Sequence, residues 1–264
     1  MHISSLDAYR PRASLIHALD ARVKLVLAVL FIVATALTPE GAWPAYVLLA
    51  ALVLGVAVAS QLGVGFVYRR SALALPFALA AVTVVFSTPG RPLLATQVLG
   101  MKLALTGAGL VRFASIVLKS WLSMQMAVVL TGSTPFPALL QAMRSLHLPK
   151  ILVAVARFTY RYLFVIGDEA LRLMRARAAR SGASEGRSGG SIFWRARVTG
   201  SMAGSLFLRS LERSERIYDA MVARGYDGEV RSLRSPALHP RDLLVAFPFV
   251  LALAAIQLLA RIRW

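Results

Sequence analysis

The chain contains no cysteine, which excludes disulfides, thiolate metal sites and cysteine nucleophiles. Acidic residues are scarce, 12 against 30 Lys and Arg, and charged residues of both signs make up only 16% of the 264 positions. The four histidines, His2, His17, His147 and His239, are scattered without metal-ligand spacing. Met1-His2 could chelate a metal through backbone and imidazole, but a lone histidine near a terminus is ordinarily solvated, so no metal site and no cofactor is assigned. No Gly-x-x-x-x-Gly-Lys-Ser/Thr occurs, which removes the usual phosphate-cradling loop. No two carboxylates are placed for acid–base work within an apolar segment, and no catalytic residue is assigned. Residues 1–20 are polar and lack the apolar stretch and cleavage site of a secretory signal, so the first hydrophobic segment is expected to stay as an anchor.

What remains is apolar. Hydrophobic residues reach 58% and the mean hydropathy is +0.66, too high for an ordinary soluble domain of this length. Val23 to Thr38 and Pro44 to Ser60 are near-continuous apolar runs separated by Pro39-Glu40-Gly41, the pattern of a helical hairpin. Ser71 to Ser87 is a third candidate span, ending at Pro89-Gly90-Arg91-Pro92, and Leu243 to Ala260 is a last one, with Pro248 as a tolerated kink. Val98 to Leu130 reads as one long span despite Lys102, Arg112 and Lys119; a split into two shorter helices is the alternative. Arg112 and Lys119, seven residues apart, share a face that should turn toward protein or a polar cavity. The expected fold class is therefore all-α, a polytopic membrane protein with five transmembrane helices, or six if the long span divides.

The net charge of +18 concentrates in one place: 18 of the 30 basic residues lie between Gly132 and Arg241. Without a nucleic-acid motif this is the bias of loops kept in the cytoplasm, so no nucleic-acid partner is assigned. Arg10, Arg12, Arg22 and Lys24 before the first span and Arg69 and Arg70 after the second put the N-terminus inside. Five spans then put the C-terminus outside, against a mild pull from Arg261 and Arg263. The chain divides into a transmembrane region over 1–131, a cytoplasmic region over 132–241 and a final transmembrane helix over 242–264.

Three cytoplasmic helices are expected in 132–241. Thr134-Pro135-Phe136-Pro137 opens the first with a capping hydroxyl, Leu139, Leu140, Met143 and Leu146 give its apolar stripe, and Pro149 closes it. A second runs from about Lys150 to Arg180, with Asp168 and Arg172 one turn apart, before a Gly/Ser-rich break at 181–190. A third runs from about Ile192 to Ala223, with Glu212 and Arg216 at pairing distance, and stops at Gly225.

Both long helices end alike, Ala179-Arg180-Ser181-Gly182 and Ala223-Arg224-Gly225. Glycine in the left-handed conformation and a cation at the negative end of the helix dipole explain each ending singly. As a pair they suggest projecting guanidinium forks that grip carboxylates in a partner's groove. Ala196, Gly200 and Gly204 leave one face of the third helix nearly bare, a notch where another helix, the second one included, could cross closely.

The run Asp7-Ala8-Tyr9 and Ser14 through Leu25, Ser-Leu-Ile-His-Ala-Leu-Asp-Ala-Arg-Val-Lys-Leu, resembles the entry signature of the transmembrane T component of energy-coupling factor (ECF) transporters, in its CbiQ-like, cobalt- or nickel-linked branch. Tyr218 to Gly228 is similar to that family's second Ala-Arg-Gly motif, and Thr134 to Pro149 to its first short coupling helix. The resemblance implies a non-catalytic coupling subunit in a bacterial inner membrane. Its partners would be two ATP-binding-cassette ATPases, a separate CbiM-like substrate-binding membrane subunit and a small accessory membrane subunit. Arg180 and Arg224 would contact the ATPases, with Ala179, Ala223 and Gly225 completing the motifs. Ser181 stands where the family has glycine, and Arg177 is a neighbouring candidate for the first contact. The rival readings are a multi-spanning enzyme acting on an anionic or lipid-phosphate substrate, active without ATPases, and a membrane-anchored nucleic-acid binder with steeply salt-dependent binding.

Overall fold

A computed structural model describes residues 9–89, 92–98, 101–180, 191–228 and 239–263. These residues fold as two compact units, 9–142 with 239–263, and 143–180 with 191–228.

The first unit is built on α2 (Ala21–Leu37), α3 (Trp43–Ala59), α6 (Gly107–Ser133) and α10 (Pro240–Arg263), after a single turn, α1 (Leu15–Ala18). Asp20 caps α2 by accepting from the Arg22 N–H at 2.8 Å. Gly41 (φ +80°) then turns the chain, and Pro44 at the first turn of α3 restarts helix where its missing N–H costs nothing. A second pair, α4 (Val64–Ser71) and α5 (Leu75–Ser87), is joined by a 3-10 turn at Ala72–Ala74. The core gathers Phe31, Leu49, Val53, Leu122, Met126, Leu253 and Ile256 from α2, α3, α6 and α10, with Phe31 and Leu49 fully buried. Among the described residues two helices, α6 and α10, are long and apolar enough to cross a membrane; α3 is apolar but shorter.

Expectation and structure part at α6. Residues Pro92–Val98 (β1) and Met101–Thr106 (β2) pair as antiparallel strands, so among the described residues the regular structure is helical apart from two short strands. The long helix starts at Gly107, not near Val98, and Lys102 lies on a strand instead of inside a span. Thr106 marks the switch: its hydroxyl caps α6 through the Gly109 N–H at 3.1 Å and donates to the Thr88 carbonyl at 3.0 Å. Gly109 is required there, because a Cβ would stand 2.5 Å from the Val85 carbonyl oxygen of α5. The two cations kept within α6 find protein partners. Arg112 pairs with Glu40 at 3.0 Å, and Lys119 donates to the Ala36 carbonyl in the last turn of α2 at 3.2 Å.

α7 (Phe136–Ser145) buries Leu139, Leu140 and Ala142. Its entry differs from expectation, since the Thr134 hydroxyl is buried and makes no hydrogen bond among the described residues, so it does not cap the helix. The helix also stops four residues before Pro149, with His147 in the left-handed region at φ +66°.

The second unit holds the two longest helices, α8 (Lys150–Arg180) and α9 (Ile192–Ala223), with the bounds the sequence signals predict. Residues 181–190, including Ser181 and Gly182 of the first motif, lie outside the described set, as do Met1 and His2.

Candidate coupling site

α9 begins with a side-chain cap, the Ser191 hydroxyl accepting from the Trp194 N–H at 3.3 Å. It ends in a full Schellman motif: the Tyr226 N–H donates to the Met221 carbonyl at 3.0 Å and the Gly225 N–H to Val222 at 2.9 Å, with Gly225 at φ +78°. A Cβ on Gly225 would touch nothing within 4 Å, so the glycine is there for its backbone conformation, not for space. Arg224, the cap residue itself, is exposed where the chain leaves the helix, as are Ala223 and Gly225.

Arg180 is the last residue of α8 and is exposed beside Ala179. The cations around it are occupied. Arg177 lies over the Trp194 ring with its guanidinium carbon 5.7 Å from the centroid, and Arg175 Nε donates to the Leu171 carbonyl at 3.3 Å. That occupancy favours Arg180 over Arg177 as the projecting group. Arg180 and Trp194 line one open cavity of about 480 Å³ between α8 and α9. At 1.5 Å per residue, the thirty residues from Trp194 to Arg224 put the two arginines on the order of 45 Å apart. They are at opposite ends of α9, not at neighbouring tips.

What joins the helices is a charge cluster absent from the sequence expectation. Glu169 of α8 bonds Arg209 of α9 at 3.0 Å and Arg172 of its own helix at 2.9 Å. Arg172 thus takes Glu169 instead of Asp168, and Arg216 Nε donates to the Glu212 backbone carbonyl at 3.3 Å. Partial desolvation pushes the Glu169 carboxyl up, but the Arg209 and Arg172 guanidiniums outweigh it and hold it below the ordinary carboxylate range. The face of α9 turned to α8 carries Trp194, Val198, Met202, Ser205 and Arg209.

Gly200 and Gly204 fall roughly half a turn away from that face. A Cβ on either would meet no atom within 4 Å, and Ala196 is exposed. α8 therefore does not fill the notch. The helices meet through larger side chains on the other side of α9.

The sequence reading also missed a buried polar cluster in the first unit. Lys24, 8% exposed, donates to the Ser133 carbonyl at 3.4 Å and the His17 carbonyl at 3.5 Å. Asp242, 5% exposed, accepts from the Asp20 N–H at 3.4 Å and the His239 N–H at 3.2 Å. The cluster ties the starts of α2 and α10 to the end of α6 across more than two hundred residues of sequence. No local pattern could announce it.

Comparison with known proteins bears on this architecture. A family model described as cobalt transport protein, CbiQ, matches residues 12–236. The cobalt transport protein CbiQ of Rhodobacter capsulatus is 29% identical over 176 residues, 66% of this chain and 70% of that one. The energy-coupling factor transporter transmembrane protein EcfT of Lacticaseibacillus paracasei is 27% identical over 268 residues, 97% of this chain and 98% of its own. The nickel permease LarQ of Lactiplantibacillus plantarum is 29% identical over 119 residues, covering 45% and 41%. The matched stretch takes in α2 through α9, and the chain belongs to the CbiQ family of membrane transport proteins, the CbiQ-like T components of ECF transporters.

Proposed function

We propose that the chain is the coupling subunit of an ECF-type importer for cobalt or nickel ions, passing work from two partner ATPases to a separate, CbiM-like substrate-binding membrane subunit. One observation carries the reading. α9 has no buried residue and α8 only Val153, yet they expose Ile151, Phe193 and Phe207 at 71%, 88% and 67%, and both end in exposed arginines. Helices of 31 and 32 residues with so little burial need partners to cover them.

In this mechanism Arg180 and Arg224 are handles. Each guanidinium enters a groove on one ATPase and takes a carboxylate through two charge-assisted bonds. Closure of the ATPases on ATP changes the distance between the two grooves. Because the handles sit at opposite ends of α9, that change becomes a rotation of the helix pair, and the Glu169–Arg209 bond makes α8 and α9 move together. Work is transmitted only through contacts that differ between the open and closed states. The spans are α2, α3, α5, α6 and α10, with Arg69 and Arg70 of α4 and the N-terminus cytoplasmic and a small accessory membrane subunit alongside.

Arg224→Ala tests the reading. Arg224 is exposed, so the isolated variant should keep its thermal stability, while co-purification with the ATPases and ion uptake in cells each fall at least about tenfold, the equivalent of a ~1.4 kcal/mol loss. Assembly and uptake equal to the parent protein would overturn it.

A further inference from the structure

Where α2 and α10 begin and α6 ends, the first unit holds a cavity that the coupling mechanism does not use. It measures about 420 Å³, within the ~300–1,000 Å³ typical of small-ligand sites. Its walls carry two cations, Arg22 and Lys24, and two carboxylates, Asp20 and Asp242, so formal charge cancels. Lys24 spends two of its three ammonium protons on the His17 and Ser133 carbonyls, and each Asp242 oxygen accepts one backbone N–H, so both groups keep bonding capacity. Thr134 supplies an independent sign of a ligand. It lines the cavity, is 2% exposed, and its hydroxyl oxygen has no partner among the described residues, a costly state for a buried polar atom.

The cavity does not stand alone. An apolar groove shares Leu19, Lys24 and Ser133 with it and continues over Met126 and Val129 of α6 and Phe249 of α10, the two membrane-capable helices. A polar chamber of balanced charge opening onto an apolar channel along membrane-capable helices matches an amphiphile. We propose that cavity and groove together hold one phospholipid with a zwitterionic phosphoethanolamine headgroup. The phosphate lies by Arg22 and Lys24 and accepts from the Thr134 hydroxyl, the ammonium faces Asp20 and Asp242, and the first methylenes of one acyl chain lie along the groove.

The chemistry disfavours other occupants. An anionic headgroup would add negative charge beside two carboxylates without an ammonium to meet them. A divalent cation lacks its ligands, since among the described residues no three His, Asp or Glu side chains gather to hold one. A soluble zwitterion would leave the groove empty.

The test stands apart from the coupling role. Full-length protein is equilibrated in mixed micelles with equal phosphatidylethanolamine and phosphatidylglycerol, and bound lipid is identified by native mass spectrometry. The expected result is about tenfold enrichment of phosphatidylethanolamine over the bulk ratio. Thr134→Val, which keeps shape and removes the hydroxyl, and Leu19→Trp, which blocks the junction, should each lower retention several-fold. Bound lipid that mirrors the bulk ratio overturns the proposal, and that arm needs no variant to fold. Glycerophosphoethanolamine competing as well as the intact lipid would overturn the lipid assignment in favour of a soluble zwitterion.

Discussion

The two units use their apolar residues in opposite ways. In the first, Phe31, Leu49 and Val53 are fully buried among α2, α3, α6 and α10, and even Lys24, Gln125 and Asp242 are drawn inside. In the second, α9 buries nothing, and Phe193, Phe207 and Leu208 stand open. The first unit carries its stability within itself. The second spends its apolar surface on contacts beyond the chain, which is what a transmission element needs if its two states differ in what it touches. Matched phenylalanine deletions break or sharpen that contrast. Phe31→Ala should cost about 3 kcal/mol, the low end of the usual range, because in a bilayer the lost packing remains while the transfer from water falls away. Phe207→Ala, 67% exposed, should leave the isolated chain within about 0.5 kcal/mol yet weaken partner capture. Thermal unfolding in detergent measures the first effect and co-purification the second; equal stability losses would erase the distinction.

A smaller effect is expected at the end of α9. Gly225→Ala forces a Cβ into φ +78°, costing about 1–2 kcal/mol in a left-handed conformation that nothing else compensates. The last turn should fray and Arg224 lose its fixed direction. Hydrogen exchange at the Gly225 and Tyr226 amides, both bonded in the Schellman motif, reports the fraying directly. Protection unchanged from the parent would mean that the motif does not hold the arginine.

The bare face of α9 gives a gain instead of a loss. With open space around Gly200 and Gly204, alanine at both sites should stabilise the isolated helix by about 0.5–1 kcal/mol each. If a partner helix uses that face, uptake will fall while helicity and melting temperature rise. Rising stability with full uptake would assign the glycines no contact role.

How much of this was legible in the sequence follows the range of the interactions. The ends of α8 and α9 are set by neighbours in sequence, Ser191 at one N-terminus and Gly225 past the last turn, and periodicity with cap chemistry finds them. The start of α6 is set by strand pairing between 92–98 and 101–106, which apolar content alone did not distinguish from helix. Asp168 sits at the favourable spacing to Arg172, yet Glu169 takes it, because Arg209 on the other helix adds a second bond on that side. A Cβ at Gly200 or Gly204 meets open space, and which face of α9 meets α8 is a tertiary fact. Lys24, counted as a charge that orients the first span, lies buried against α6. In each case the missing information was a contact over tens or hundreds of residues.

The smallest expected effect concerns the joint between the helices. Glu169 is held below the ordinary carboxylate range by Arg209 and Arg172, so its contribution is fully present above the pKa of the unfolded chain and disappears as pH falls through the lower, folded value. Spin labels on the exposed sides of α8 and α9 should therefore report a constant separation from neutral pH down through the usual carboxylate range, and a broadened one only in stronger acid. Glu169→Gln keeps the shape of the side chain but removes the charge that both arginines share, so its distance distribution should be broad already at neutral pH and insensitive to acid. High salt should move the parent toward the same distribution, because Arg209 and Arg172 are more than half exposed and the pair is screened. A parent protein whose helix separation ignores both acid and salt would assign the joint to the apolar contact around Trp194 and Met202, leaving the charge cluster without a part in holding α8 to α9.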